Sequence, residues 1–144
     1  MFISKLSMAL LLSVSALTAY ANECSESQQR QAEQMQLNKW EDVYTYFKKY
    51  KQCDDAQAAE VTSEEITHVM ATNWSDLKKF EMFVRKNPSF KSFVFDHINE
   101  MADYEDVEQI VTLSQNQCRS VSKSLCNEIY QASLPIKIAQ TPTK

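Results

Sequence analysis

The sequence predicts an all-α domain of about seven short helices, arranged in stacked antiparallel hairpins and held by two disulfides. Three observations predict it: the absence of glycine, apolar residues at helical spacing, and four cysteines that follow a signal-like N-terminus. The hairpins could form an α–α repeat array or a compact orthogonal bundle, and the sequence leaves both arrangements open.

None of the 144 residues is glycine, whereas an average composition would supply about ten. Glycine serves tight hairpins and loops in which the backbone approaches a phosphate. Its absence argues against the phosphate-binding loop, the dinucleotide-binding fingerprint and the nucleophile elbow. Helices joined by short loops are the architecture that this composition favours.

The first 21 residues have the pattern of a cleavable signal peptide. Lys5 supplies the positive charge, residues 8–17 form an apolar run, and Ala19-Tyr20-Ala21 fits the cleavage rule. We expect cleavage after Ala21 and a periplasmic or secreted protein. An uncleaved anchor would need ~20 apolar residues, and lipid attachment at Cys24 would need small or apolar residues in place of Asn22-Glu23.

The remaining chain divides into one helical domain, residues 22–133, and a tail, residues 134–144, that its prolines predict to be extended or mobile. Without residues 1–21, 14 basic and 19 acidic residues remain, a net charge of −5. This balance argues against a nucleic-acid partner. No later segment is long and apolar enough for stable membrane insertion.

The cysteines Cys24, Cys53, Cys118 and Cys126 are even in number, which is typical of disulfides in a small exported domain. Three pairings are compatible with the sequence. We favour Cys24–Cys53 and Cys118–Cys126, because each closes a local helical hairpin. A metal site is disfavoured, since no C-x-x-C occurs.

Three segments share an aromatic residue, a polar residue, Asp and an aliphatic residue: 40–43, 74–77 and 104–107. The aromatic positions lie 34 and 30 residues apart, a period that resembles helix-turn-helix repeats of the tetratricopeptide kind. The resemblance implies stacked helical hairpins and no family membership. The glycine and small-residue positions of that consensus are missing here.

Helix starts follow from capping signals. Capping boxes predict one helix from Ser25 to about Leu37 and another over Ser63–Thr72, with Thr62 as its cap. Asn87-Pro88 predicts a further start, and the last helix is expected over 122–133. The expected N-caps of the three repeat helices are Asn38, Asn73 and Asp103.

The candidates for catalysis are weak. His68 and His97 occupy near-equivalent repeat positions, which favours a packing role. Ser120-Val121-Ser122-Lys123 matches S-x-x-K, but its companion motifs are absent. The acidic run of residues 96–108 has no calcium-loop spacing, and its acids suit helix first turns. We therefore predict a non-enzymatic protein without a cofactor or a metal ion.

The predicted function is binding of another protein. Aromatic residues that fall off the main apolar stripes, and acids near the third repeat, are the candidate contacts: Tyr46, Tyr50, Phe95, Asp103 and Glu105. Immunity, inhibitor or adaptor proteins are the favoured types. The alternative is an envelope-stress or housekeeping factor with a chaperone-like or structural role. The oligomeric state and the partner are not encoded in any motif.

Overall fold

The computed structural model describes residues 23–119 and 121–142, so the predicted signal peptide and Ser120 of the S-x-x-K pattern lie outside the described residues. The described residues contain seven α-helices and no strand, which confirms the all-α prediction. The helices are α1 (Glu26–Glu33), α2 (Trp40–Tyr50), α3 (Ala56–Thr72), α4 (Leu77–Lys86), α5 (Ser89–Asp96), α6 (Tyr104–Asn116) and α7 (Lys123–Gln140).

Both favoured disulfides are present. Cys24 is bonded to Cys53, with Cα atoms 4.9 Å apart, and Cys118 is bonded to Cys126, with Cα atoms 6.0 Å apart. The first bridge joins the chain before α1 to a 3₁₀ turn, Lys51–Cys53, that follows α2. α1 and α2 therefore form an antiparallel hairpin, and the disulfide joins the two ends that lie opposite its connecting loop.

The capping signals at α1 and α6 are confirmed. Ser25 Oγ accepts from the Gln28 amide at 3.2 Å, and Gln28 Oε1 accepts from the Ser25 amide at 3.0 Å. Asp103 Oδ1 accepts from two amides at the start of α6, at 2.8 and 3.3 Å. α1 ends at Glu33, four residues before the predicted end at Leu37.

The predicted asparagine caps of the first two repeat helices are wrong. Lys39 occupies the N-cap position of α2, and the Asn38 amide instead donates to Asp42 Oδ2 at 3.1 Å. Asn73 makes no side-chain cap. Its side-chain Nδ2 donates instead to the Asn38 backbone carbonyl at 3.2 Å. The two asparagines thus link two loops.

α3 begins earlier than its pattern predicts. Asp55 caps it and accepts from the Ala58 amide at 3.2 Å. The predicted start at Thr62 is wrong, since the Thr62 hydroxyl donates to the Ala58 carbonyl, at 2.9 Å, inside the helix. Threonine makes this bond within helices and also caps them, so the Thr62…Glu65 spacing fits both situations.

α7 is longer than predicted. Ser122 is its N-cap, but the helix continues beyond Ser133, through Pro135, to Gln140. The predicted extended tail is therefore wrong over residues 134–140. A proline removes one helical hydrogen bond, yet α6 holds the helix beyond it: Lys137 Nζ lies 3.2 Å from a Glu108 carboxylate oxygen.

The repeat is only partly reflected in the packing. α2 and α4, the helices of the first two repeat segments, lie side by side and run in the same direction. Trp40 stacks on Phe80 with ring centroids 4.7 Å apart, and Tyr44 stacks on Phe83 at 4.3 Å. The third repeat helix, α6, packs instead against α3 and α7.

One core runs through the molecule. Its aromatic part surrounds Phe90, which is fully buried and contacts four rings: Tyr44, Phe47, Phe80 and Phe83. Its aliphatic part joins α3, α6 and α7 through Ile66, Ile110 and Ile129, each fully buried. No helix in the described ranges has the length and apolarity needed to cross a membrane.

Candidate partner-binding cleft

An open cleft of about 480 Å³ lies between α1 and α3, with α2 at its base. Its lining includes apolar and aromatic side chains, here called its base (Ala32, Met35, Tyr46 and Val61), the neutral polar side chains of Gln29, Gln57 and Thr62, and the carboxylates of Glu33, Asp55 and Glu65, here called its rim. Val61 is 57 % exposed, one of four large apolar side chains with high exposure in the described residues. The cleft therefore combines a bare apolar surface with negative charge.

Negative charge is concentrated in α3 and in the residues that flank it. No Lys or Arg occurs between Lys51 and Lys78, whereas that interval contains six acids: Asp54, Asp55, Glu60, Glu64, Glu65 and Asp76. Among the described residues, none of the rim carboxylates takes part in a salt bridge. Glu33 accepts only a neutral bond, from Gln29 Nε2 at 3.0 Å.

Glu65 is the most desolvated of the three rim carboxylates. Burial raises the pKa of Glu65 above its usual 4.5, the nearby Glu64 charge raises it further, and a hydrogen bond from the Leu37 backbone lowers it in part. A carboxylate in this position is ionised at neutral pH at a cost in desolvation. A cation placed in the cleft would offset that cost.

α1 forms one wall of the cleft and depends on few contacts. Ala32 is its only buried residue. The Cys24–Cys53 disulfide fixes its start, and the Tyr50 hydroxyl donates to Gln31 Oε1 at 3.1 Å near its middle. The geometry of the cleft thus depends on a covalent bond as well as on packing.

A buried polar network supports the base of the cleft. The Tyr46 hydroxyl donates to Asp54 Oδ1 at 3.3 Å, and its oxygen lies 3.3 Å from the hydroxyl oxygen of Thr62 on α3. Burial raises the pKa of Tyr46 to about 12, with a further contribution from Asp54. The phenol is therefore neutral and links α2 to Asp54, which lies just before α3.

His97 completes this network. Its Nε2 lies 2.8 Å from Asp54 Oδ2, and its Nδ1 donates to the Phe93 carbonyl at 2.7 Å. Burial lowers the pKa of His97, but hydrogen bonds to Asp54 and to the Phe93 carbonyl outweigh burial, so the pKa lies above its usual 6.5. Both ring nitrogens face acceptors, which suits the imidazolium form.

His68, the second histidine, is exposed, and its Nδ1 lies 3.0 Å from Asp106 Oδ2. The two histidines therefore make the same kind of pair in different surroundings, one at the surface and one in the core. In the described part of the chain, no three His, Cys, Asp or Glu side chains are grouped to hold a metal ion. The absence of a metal ion or a cofactor stays a prediction.

The predicted partner contacts do not share one surface. Tyr46 is 3 % exposed, so the prediction that it is a free surface aromatic is wrong. Its hydroxyl bonds to Asp54 within the buried polar network. Tyr50 and Phe95 are half-buried, against α1 and against Phe80. Asp103 and Glu105 are exposed at the start of α6, where Asp103 is the cap.

Sequence reasoning missed the cleft residues Glu33, Val61 and Glu65. One signal was available: the long interval without Lys or Arg marks α3 as an acidic helix. The placement of that helix across the cleft from α1 was not encoded in any local pattern. It depends on which of three disulfide pairings forms and on where α3 begins.

Comparisons of this chain with models of known protein families, with curated proteins and with solved structures found no match. The charge of the cleft and its apolar base are therefore the features that indicate a function.

Proposed function

We propose that this protein is an exported, non-enzymatic binding module that holds a Lys- or Arg-bearing segment of another protein in the cleft between α1 and α3. The observation that carries the proposal is the set of rim carboxylates without a cationic partner around the exposed Val61. A periplasmic immunity, inhibitor or adaptor protein would use such a cleft.

Charge and shape favour the same occupant. Opposite charges across an interface accelerate association and fix its register, and Arg binds a carboxylate through two parallel hydrogen bonds. The base of the cleft offers Val61 and Met35 as contacts for an apolar side chain. A volume of about 480 Å³ lies within the range of pockets that hold compact ligands and suits a few side chains of a peptide.

The disulfides support the exported part of the proposal. Disulfides persist in oxidising compartments and are rare in the cytosol of most organisms. Here one of them, Cys24–Cys53, holds a wall of the cleft. A cleft built in this way is suited to a protein that acts outside the cytoplasm.

The proposal is tested by selecting binders from a random peptide library displayed on phage, with the purified, oxidised protein as the target. We expect selected peptides to be enriched in Lys or Arg beside an apolar residue. The double substitution Glu33→Gln and Glu65→Gln should weaken their binding at least about tenfold, since each removes one charge pair. Raising the salt concentration should weaken binding by the wild type.

The matched control is Glu100→Gln with Glu105→Gln, which removes the same charge from exposed positions outside the cleft. This control should bind like the wild type. Peptides without basic residues, or equal losses in the two variants, would overturn the cleft assignment. A loss confined to the control pair would place the interface at the start of α6, where Asp103 and Glu105 lie.

A further inference from the structure

A second charged surface lies at the C-terminal ends of α2 and α4. Because these helices run in the same direction, their last turns meet at one end of the molecule. Those turns and the residue after α2 contribute five exposed cations: Lys48, Lys49, Lys51, Arg85 and Lys86. We call this surface the basic end.

The aromatic core shows that the two helix ends are adjacent. Lys51 Nζ lies 4.9 Å from the centroid of the Phe47 ring, and Lys86 Nζ lies 5.8 Å from that of Phe83. Both rings contact Phe90, at 5.2 and 6.2 Å. The two ammonium groups thus lie over neighbouring parts of one aromatic cluster. Lys48, one turn after Tyr44, continues the side of α2 that faces α4.

Most of the cations of the basic end form no salt bridge within the described residues. Lys79, Lys91 and Lys137 each lie within 3.3 Å of a carboxylate oxygen. In contrast, no salt bridge of the described residues includes any lysine of the basic end, and Arg85 contacts only Glu81, at 3.7 Å. The helix dipole favours cations here, but two helix C-termini supply only about one unit of negative charge.

We propose that the basic end binds an anionic phospholipid surface. Four of its five cations are lysines, which act as point charges, whereas a specific phosphate site would favour the bidentate geometry of arginine. Lysine clusters of this size bind acidic bilayers through diffuse attraction. Met82, 43 % exposed and one turn before Lys86, offers an apolar contact among the headgroups.

This binding places the molecule peripherally on a bilayer. The basic end and the acidic cleft are separate surfaces. Tyr46 is the only residue of α2 that lines the cleft, and α4 contributes none. A molecule attached through the basic end would therefore keep the cleft available to a partner.

The test is co-sedimentation of the purified, oxidised protein with vesicles. One preparation contains phosphatidylglycerol and phosphatidylcholine in equal parts, and the other contains phosphatidylcholine alone. We expect binding to the anionic vesicles only, reversed by salt. The substitutions Lys48→Gln, Lys51→Gln and Lys86→Gln together should lower the partition coefficient roughly a hundredfold at low salt.

The matched control is Lys39→Gln, Arg119→Gln and Lys123→Gln, three exposed cations outside the basic end. It removes the same charge and should retain binding, as should the Glu33→Gln and Glu65→Gln variant. Equal binding to both vesicle types, no binding, or equal losses in both triple variants would overturn the proposal. Binding to polyglutamate without binding to vesicles would assign the surface to an acidic protein, which also overturns it.

Discussion

His97 and Asp54 show how one residue pair links stability to pH. The pair is buried, and its hydrogen bonds leave the pKa of His97 above that of an exposed histidine. A group whose pKa is raised on folding stabilises the folded protein below its unfolded-state pKa. That stabilisation is lost as the pH rises through the folded-state pKa.

The unfolding free energy should therefore fall as the pH rises above about 6.5, as measured by urea denaturation with the disulfides intact. Asp54→Asn should remove most of this pH dependence. It should also lower the unfolding free energy by about 3 kcal/mol below that pH, which is the low end of the range for a broken buried pair. The loss stays at that low end because His97 can release its proton and become neutral.

The His68–Asp106 pair, whose histidine is 63 % exposed, is the matched control for this measurement. Asp106→Asn should change the unfolding free energy by less than about 1 kcal/mol, because solvent around the exposed histidine screens the pair. A wild-type stability that rises with pH over the same interval would contradict the protonated state of His97. Equal effects of the two substitutions would contradict the importance of burial.

At the scale of elements, α1 depends on its disulfide and α7 on its neighbour. α1 buries only Ala32. The Cys24–Cys53 disulfide therefore holds α1 in place, whereas the other helices are held by a packed apolar face. α7 passes through Pro135 because α6 holds the turns beyond it. In both cases a contact distant in sequence determines whether a helix keeps its place.

Replacing Cys24 and Cys53 with serine should lower the unfolding free energy by about 3.5 kcal/mol through the lost constraint on the unfolded chain. Amide hydrogen exchange should also show loss of protection in Glu26–Glu33. Serine at Cys118 and Cys126, which close a shorter loop, should cost about 1 kcal/mol less and leave α1 protected. Unchanged protection of α1 in the first variant would contradict this view of the hairpin.

Pro135→Ala should stabilise α7 by up to about 3 kcal/mol, since alanine restores a helical hydrogen bond and removes a clash with the preceding turn. Pro135 is exposed, so the substitution leaves no cavity. Thermal unfolding would report the change as a higher Tm. A lower Tm would show that the chain past Ser133 is not helical in solution.

These elements also show what could be predicted from the sequence. The caps at Ser25 and Asp103 and the favoured pairing of the cysteines follow from local spacing. The start of α3 does not, because Thr62 has the same neighbours whether it caps a helix or bonds within one. The length of α7 does not follow from local spacing either. Pro135 predicts that the helix ends before it, but packing against α6 lets the helix continue.

At the scale of the whole molecule, charge is segregated. The acids of α3 and the rim of the cleft lie on one side, and the cations that end α2 and α4 lie at one end. Both charge runs are visible in the sequence. The surfaces that these runs form could not be predicted, because the core sets the parallel packing of α2 and α4, and the Cys24–Cys53 disulfide places α1 across the cleft from α3.

The pKa of Glu65 reports most sensitively whether the cleft holds a basic segment. It can be measured by carboxyl-detected NMR titration in the free protein and with a peptide selected on phage. We predict a pKa above 4.5 in the free protein and a value below 4.5 in the complex, because a cation favours the charged form. An unchanged Glu65 with shifted carboxyls at the start of α6 would contradict binding of a basic segment in the cleft.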